Sequence, residues 1–310
     1  MTGGCSVISV DLSPRIHPLT EETVEGKTGP KILLMDVSGM LSDEGPTPIL
    51  SLGNPPPRVP MLVRIREELR KAEEDRQVRA LLVRINSPGG TVTASDIMYR
   101  EIETWKQRTR LPVIAVLMDI AASGGYYVAL AADTIVAHPT TVTGSIGVIM
   151  ISVNAEGLMQ KLGVATTAIK SADHKDMGSP FRALTPDERA IFQNVINDMQ
   201  RQFLAKVVAN RKLSPETAQK LADGRVYTAE QALAHKLIDS IGYMSDAVAL
   251  AKKAAGVEDA RVVVYHRPRQ YRATYYARSE DTPIAGVDAS LSGMASLAAS
   301  GPRFLFLWWP

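Results

Sequence analysis

Cysteine is nearly missing from this 310-residue chain, in which Cys5 stands alone. One thiol excludes an internal disulfide framework and any zinc site built from cysteines. Long apolar runs are missing as well: no stretch approaches the ~20 apolar residues that cross a bilayer as a helix. Charge of one sign is also missing, with 35 Lys+Arg against 33 Asp+Glu and a net charge of +2. That balance, with no basic run carrying interleaved aromatics, argues against a nucleic-acid partner. At 45% hydrophobic and 22% charged residues, the composition excludes a disordered or collagen-like chain. What remains is a folded chain of one large α/β domain with tails, or two ordinary domains.

The middle of the chain reads as alternating strands and helices. Lys31–Val37, Ala80–Ile85 and Pro112–Met118 are short apolar runs that predict buried strands. Between them, Met61–Arg76 places Leu62, Ile65 and Leu69 on one helical face, and Ala94–Arg108 does so with Ile97, Ile102 and Trp105. A helix is expected from Ser123 to Ala132, and further strands at Thr134–Ala137, Val148–Ser152 and Val164–Ile169. Thr185-Pro-Asp-Glu188 is a capping box with proline at the first helical position, opening a long amphipathic helix to about Arg211. Ser214-Pro-Glu216 and Thr228-Ala-Glu-Gln231 start two more helices, the second expected to end near Gly242. This alternation predicts an α/β fold of parallel βαβ units, its sheet covered on both faces.

The ends differ from the middle. Residues 1–30 read as a leader without the charged start and long apolar core of a complete secretory signal. Gly4-Cys5 before a small residue is what remains downstream of a bacterial lipoprotein cleavage site, so Cys5 is a candidate lipidation site; otherwise it is a plain thiol. Residues 257–310 read as an extension ending in the apolar Pro302-Arg-Phe-Leu-Phe-Leu-Trp-Trp-Pro310. Three roles are open for that end: a strand covering a core edge, insertion at a membrane interface where Trp is favoured, or docking into an apolar groove of a neighbouring subunit.

Sites in α/β folds gather at the carboxyl ends of strands. Three such ends carry glycine and hydroxyl residues: Asn86-Ser-Pro-Gly-Gly90, Ala121-Ala-Ser-Gly-Gly125 and Thr143-Gly-Ser-Ile-Gly147. Ser123 has an ordinary reading as a helix N-cap. Its company suggests acyl transfer instead. Gly124 and Gly125 admit a substrate backbone, and Gly89-Gly90 offers unobstructed N–H groups; two such donors make an oxyanion hole, worth ~10²–10³ in rate each. A nucleophilic serine needs a base. Of five histidines only His174 has an interesting setting, in the aperiodic segment Ile169–Pro180, which also holds Lys170 and Lys175. Ser–His–Asp and Ser–Lys arrangements both stay open. A lysine base must be neutral near pH 7 against an ordinary pKa of about 10.4, which takes burial and an orienting hydroxyl; Ser145 is a candidate for that hydroxyl.

Together with Lys170-Ser-Ala-Asp-His-Lys-Asp-Met-Gly-Ser-Pro-Phe181 and Asp223-Gly-Arg-Val-Tyr227, these runs resemble the signal peptide peptidase A (protease IV) family of bacterial serine peptidases. The resemblance extends in order over about Lys31–Gly256 and sets a peptidase domain at 31–256. It implies a Clp-protease/crotonase-like fold and a Ser–Lys dyad with no metal or organic cofactor. Under it Ser123 is the nucleophile, Lys175 rather than Lys170 the general base, and Ser145 the hydroxyl that orients the lysine. The backbone N–H groups of Gly89 and Gly124 form the oxyanion hole. The implied substrates are hydrophobic peptides, cleaved signal peptides at the membrane. The implied assembly is a dome-shaped homo-oligomeric ring, an octamer being one size considered, in which each site draws on a neighbouring subunit. The implied location is the bacterial cell envelope, extracytoplasmic and membrane-associated.

Two departures from the pattern stand out. Short-form members usually begin with a transmembrane helix, and Ala172 stands where glycine is expected. Two rival readings share the fold: a crotonase-type acyl-CoA enzyme and a catalytically silent ring scaffold. Intact Ser123, Lys175 and Ser145 argue against the second. The apolar Phe304–Pro310 end resembles the substrates such an enzyme would take, so it is expected to occupy a groove as a product-like plug.

Overall fold

Four segments buried on both sides form the middle of the sheet: β2 (Lys31–Ser38), β3 (Val78–Ser87), β5 (Val113–Ala122) and β6 (Thr134–Ala137). The structure is a computed structural model that describes residues 17–43, 59–268, 273–277 and 303–308. The four strands run parallel in the order β2-β3-β5-β6. Parallel neighbours cannot be joined by a tight turn, and helices make the crossovers: α1 (Met61–Glu74) and α2 (Val92–Thr109).

Alternation along each strand divides the core in two. Leu33, Met35, Leu81 and Val83 face α1, α2, α3 (Gly124–Ala129) and α5 (Pro186–Arg211). Ile32, Leu34, Ala80 and Leu82 face α8 (Met244–Ala255), which offers Met244, Ala247, Val248 and Ala251. The expected α/β sheet with parallel strands, covered on both faces, is the one observed.

The long helix α5 begins as expected. The Thr185 N–H donates to Glu188 Oε2 at 3.0 Å and the Glu188 N–H to Thr185 Oγ1 at 3.2 Å. Other expectations need correction. Val164–Ile169 is not a strand: it is irregular and exposed, with Ile169 fully so. The helix opened by Thr228 is α7 (Ala229–Ala234) and stops well short of Gly242, since Ser240–Ile241 pairs with β6 as β10. The helix after Ser123 ends at Ala129.

Two strands lie outside the expected boundaries at 30 and 257 and join the central sheet. β1 (Thr20–Glu25) pairs antiparallel with β11 (Arg261–His266), and β11 pairs parallel with β2. Parts of the expected leader and extension therefore complete the sheet, covering the otherwise open edge of β2. Buried charge also ties the extension down. Arg84 Nε donates to Asp36 Oδ1 at 3.0 Å while its Nη2 donates to the Ala277 carbonyl at 2.8 Å. Burial pushes the Asp36 carboxyl up, but Arg84 and Arg64 outweigh it and hold the group below its ordinary range.

Five short strands complete the two sheets around the end of β5. β7 (Val142–Gly144) pairs with β5 and with β9 (Val226–Thr228). β4 (Gly89–Thr91) and β8 (Ile149–Ile151) belong to a separate small sheet whose middle strand is β12 (Arg303–Leu307).

Candidate active site

β5 ends at Ala122 and α3 begins at Gly124, so a single residue, Ser123, makes the turn. Its φ of 51° and ψ of −114° lie where L-residues are rare, a strain of about 1–3 kcal/mol that the surroundings must hold. A serine on a sharp strand-to-helix turn is the geometry of a nucleophile elbow. The N-cap reading fails, because the Ser123 side chain makes no capping hydrogen bond. Its Oγ is buried and has no hydrogen-bond partner among the described residues. The backbone is firmly held: the Ser123 N–H donates to the Gly144 carbonyl at 2.7 Å, and its own carbonyl accepts from Tyr127 at 2.8 Å.

Ser145 arrives by strand register. β5 and β7 pair as Ala121↔Thr143 and Ala122↔Gly144, so the next residues of the two parallel strands are Ser123 and Ser145. Ser145 is buried, with a φ of 49°, and its N–H donates to the Arg225 carbonyl at 2.8 Å.

The glycines close a notch against this turn. Gly89 has a φ of 108°, and a Cβ there would stand 2.8 Å from the Gly124 nitrogen. Its N–H, expected to face the oxyanion, donates instead to Ser87 Oγ at 3.1 Å. Leu41 takes the next groups: its N–H donates to the Gly89 carbonyl, and its carbonyl accepts from Thr91. Alternate residues of a strand point their backbone groups to opposite sides, so the other side of this strand belongs to Gly90, which pairs with Phe306 of β12. The motif was legible in the sequence; which of its two glycines presents its N–H was not.

The loop of candidate bases sits on the surface. Lys175 is exposed, and within the chain no hydrogen bond joins it to Ser123. Lys170 Nζ is engaged by Asp176 Oδ1 at 2.8 Å and the Asp173 carbonyl at 3.0 Å. His174 Nε2 lies 3.6 Å from Asp187 Oδ2, both exposed. Sequence reasoning missed the clamp that shapes this loop. Arg182 donates to Asp176 Oδ1 and Oδ2 at 2.8 and 2.9 Å and to Glu188 Oε2 at 2.9 Å. Those bonds hold the Asp176 carboxyl well below its ordinary range and bring Glu188 down to about 2. An arginine flanked by carboxylates six residues either side was the available signal.

The rest of the expected site divides as follows. Cys5 lies outside the described residues. Among the described residues no helix is long and apolar enough to cross a membrane. Of the apolar end, Arg303–Leu307 is strand β12 on the chain's own β4 and β8.

Residues 106–258 match peptidase family S49. A protein of Enterococcus faecium named for signal peptide peptidase SppA is 35% identical over 277 residues, spanning 89% of this chain and 79% of that protein. This chain belongs to peptidase family S49. The chloroplastic serine protease SPPA of Arabidopsis thaliana is 34% identical over 232 residues, 74% of this chain and 34% of that one. Among solved structures, a ClpP1 variant from Listeria monocytogenes aligns with a TM-score of 0.44 at 17% identity, over 69% of this chain and 94% of that chain. As an S49 member the protein is a serine-type peptidase, and the acyl-CoA reading falls away.

Proposed function

We propose that this S49 peptidase cleaves apolar peptide segments, spent signal peptides at a membrane among them, with Ser123 as nucleophile and Lys175 of a second copy as general base. The observation that carries this reading is the Ser123 hydroxyl: buried, on a strained turn and, among the described residues, without a hydrogen-bond partner. The chain's own surface supports the second copy. Leu158, Leu162, Val164, Ile169 and Phe181 are all exposed along one stretch, and this stretch also carries Lys175. Apolar groups gathered in this way mark an interaction face. A neighbouring copy laid over it in a ring would bury the face and deliver the lysine.

In the proposed reaction Ser123 Oγ attacks the peptide carbonyl carbon while its proton passes to the neutral Lys175 amine. Ser145 holds that amine in line. The notch of Gly89, Gly90 and Gly124 receives the oxyanion, with the Gly90 and Gly124 N–H groups as donors and Gly89 leaving room for the oxygen. The C–N bond then breaks and the ammonium returns its proton to the leaving amine. Water hydrolyses the acyl-enzyme and restores the serine. The same reading places the enzyme at the bacterial cell envelope, on the membrane surface, with Cys5 as the candidate lipid anchor.

The test is complementation. Ser123→Ala and Lys175→Ala should each abolish hydrolysis of an apolar reporter peptide. Co-expressed, they should recover about a quarter of wild-type turnover, because a heterologous interface pairs the serine of one copy with the lysine of the next. Full activity in Lys175→Ala alone removes the base assignment, and no recovery on mixing places both residues in one chain.

A further inference from the structure

We propose that Arg182 is a positioning residue of this peptidase: it fixes Lys175 for delivery to the neighbouring serine, and it neutralises the carboxylate beside that lysine so that the amine can act as a base. This deepens the reading of Lys175 as general base and rests on it.

The geometry comes first. A guanidinium carries five N–H donors in a rigid planar fork, and both sides of the Arg182 fork are engaged. Nε and Nη2 donate to Oδ2 and Oδ1 of Asp176 at 2.9 and 2.8 Å, and Nη2 also reaches the Asp176 carbonyl at 3.2 Å. On the other side, Nη1 and Nη2 donate to Oε2 and Oε1 of Glu188 at 2.9 and 2.5 Å, and Nη1 to the Ala183 carbonyl at 3.1 Å. Glu188 is buried and closes the capping box of α5, a helix of 26 residues. The fork therefore ties an irregular loop to the fixed end of a long helix. Residues 171–182 hold no helix or strand that could do so. Asp176 directly follows Lys175, and the Ser179 N–H donates to its carbonyl as well, at 3.0 Å. Gripping both the carboxylate and the carbonyl of Asp176 fixes the backbone from which the lysine stem projects.

Charge is the second support. A carboxylate next to an amine favours the ammonium form, and Asp176 is one peptide away from Lys175. Arg182 answers that charge together with Lys170, whose Nζ lies 2.8 Å from Asp176 Oδ1. Arg182 and Lys170 balance Asp176 and Glu188, which leaves the cluster neutral. Around the loop, Glu156 Oε2 accepts from the Ala183 N–H at 3.0 Å, and His174 Nε2 lies 3.6 Å from Asp187 Oδ2. Asp173 stands exposed, where solvent and salt screen it. On the receiving side, the Ser145 N–H donates to the Arg225 carbonyl, and the Arg225 Nε pairs with Asp223 Oδ2 at 2.7 Å.

The experiment follows kcat/KM on an apolar peptide across pH, in the full chain, because its acid limb reports the base of the free enzyme. Arg182→Ala should lower kcat on the order of 10²-fold, the scale of a misplaced catalytic group. It should also move the acid limb up by about one pH unit, since Asp176 is then only half compensated beside Lys175. Asp176→Asn should lower kcat too, but move the limb down, because the unbalanced guanidinium disfavours a second cation nearby. Arg182→Lys keeps the charge and loses the fork, so its limb should return to the wild-type position while kcat stays low. A clamp that merely braced the loop would lower Tm in all three and leave the limb in place. A limb unmoved in both Arg182→Ala and Asp176→Asn, or moved the same way in both, overturns the proposal, as does full kcat in Arg182→Ala. Should Arg182→Ala fail to fold, the direction of the limb in Asp176→Asn decides. Turnover retained in Lys175→Ala removes the base reading instead.

Discussion

Ser123 donates its backbone N–H to the carbonyl of Gly144 across 2.7 Å, and that bond sets Ser123 beside Ser145. Both serines have positive φ, 51° and 49°, and each directly follows a strand of the same parallel pair. Two neighbouring strained turns bring two hydroxyl residues together by register alone, with no hydrogen bond needed between their side chains.

Ser145→Ala should therefore slow catalysis without loosening the fold. If its hydroxyl orients the lysine, kcat falls on the order of 10²-fold, the scale of a catalytic group left misplaced, while KM and Tm stay near wild type. Initial rates across pH, with a thermal melt alongside, check this. An unchanged kcat would leave Ser145 as a buried turn residue only.

Gly90→Ala should damage both fold and groove. Its Cβ would stand 2.5 Å from the Leu41 nitrogen and 2.6 Å from the Leu41 carbonyl carbon, backbone atoms that cannot swing aside. A loss of about 1–3 kcal/mol follows from such overpacking, together with a raised KM. Gly157→Ala is the control, for nothing lies within 4 Å of its Cβ on α4 (Glu156–Lys161). That change should stabilise by about 0.5–1 kcal/mol. Chemical denaturation distinguishes the two, and equal effects would contradict the close approach at Gly90.

Glu188 gives the loop of candidate bases an acid limit. The hydrogen bond from Arg182, with the Thr185 N–H, brings its carboxyl from an ordinary 4.5 to about 2. A depressed carboxyl stabilises the folded form fully above its ordinary value, and that contribution is lost as pH falls toward the depressed one. Amide protection across residues 176–188, corrected for the intrinsic exchange rate, should fall between pH 4.5 and about 2 in the wild type. In Glu188→Gln the fall should be smaller over the same window, since Asp176 of the same clamp still titrates. An equal acid response in both chains would acquit this clamp.

The exposed apolar stretch makes a prediction about assembly. Leu162→Ser with Ile169→Ser should reduce the particle size in sedimentation and abolish turnover. The melting of the chain itself should move little, since substitutions at exposed positions usually stay within about 0.5 kcal/mol. An unchanged particle size would place the interface elsewhere.

Much of this was legible in the chain. The apolar runs at Lys31, Ala80 and Pro112 could only be buried strands, because nothing polar interrupts them except Asp36 and Arg84, which pair with each other. The capping box at Thr185 announced α5 because its two hydrogen bonds are local. Val164–Ile169 misled for the opposite reason: apolar spacing reports burial, and here Val164 and Ile169 stand exposed. The Arg182 clamp was missed because an ion pair leaves no periodicity.

Residue types and their spacing determined, without coordinates, that glycine and hydroxyl groups crowd three strand ends of a parallel α/β sheet, for those choices depend on neighbours a few positions away. Only the folded chain decided that Ser123 is no cap, that the Gly89 N–H turns to Ser87 while Gly90 pairs with β12, and that Arg303–Leu307 returns to β4. Apart from the Ser87 bond, each of these is fixed by partners tens or hundreds of positions distant. Backbone hydrogen bonds carry no sequence code, so no reading of letters in order could choose among them.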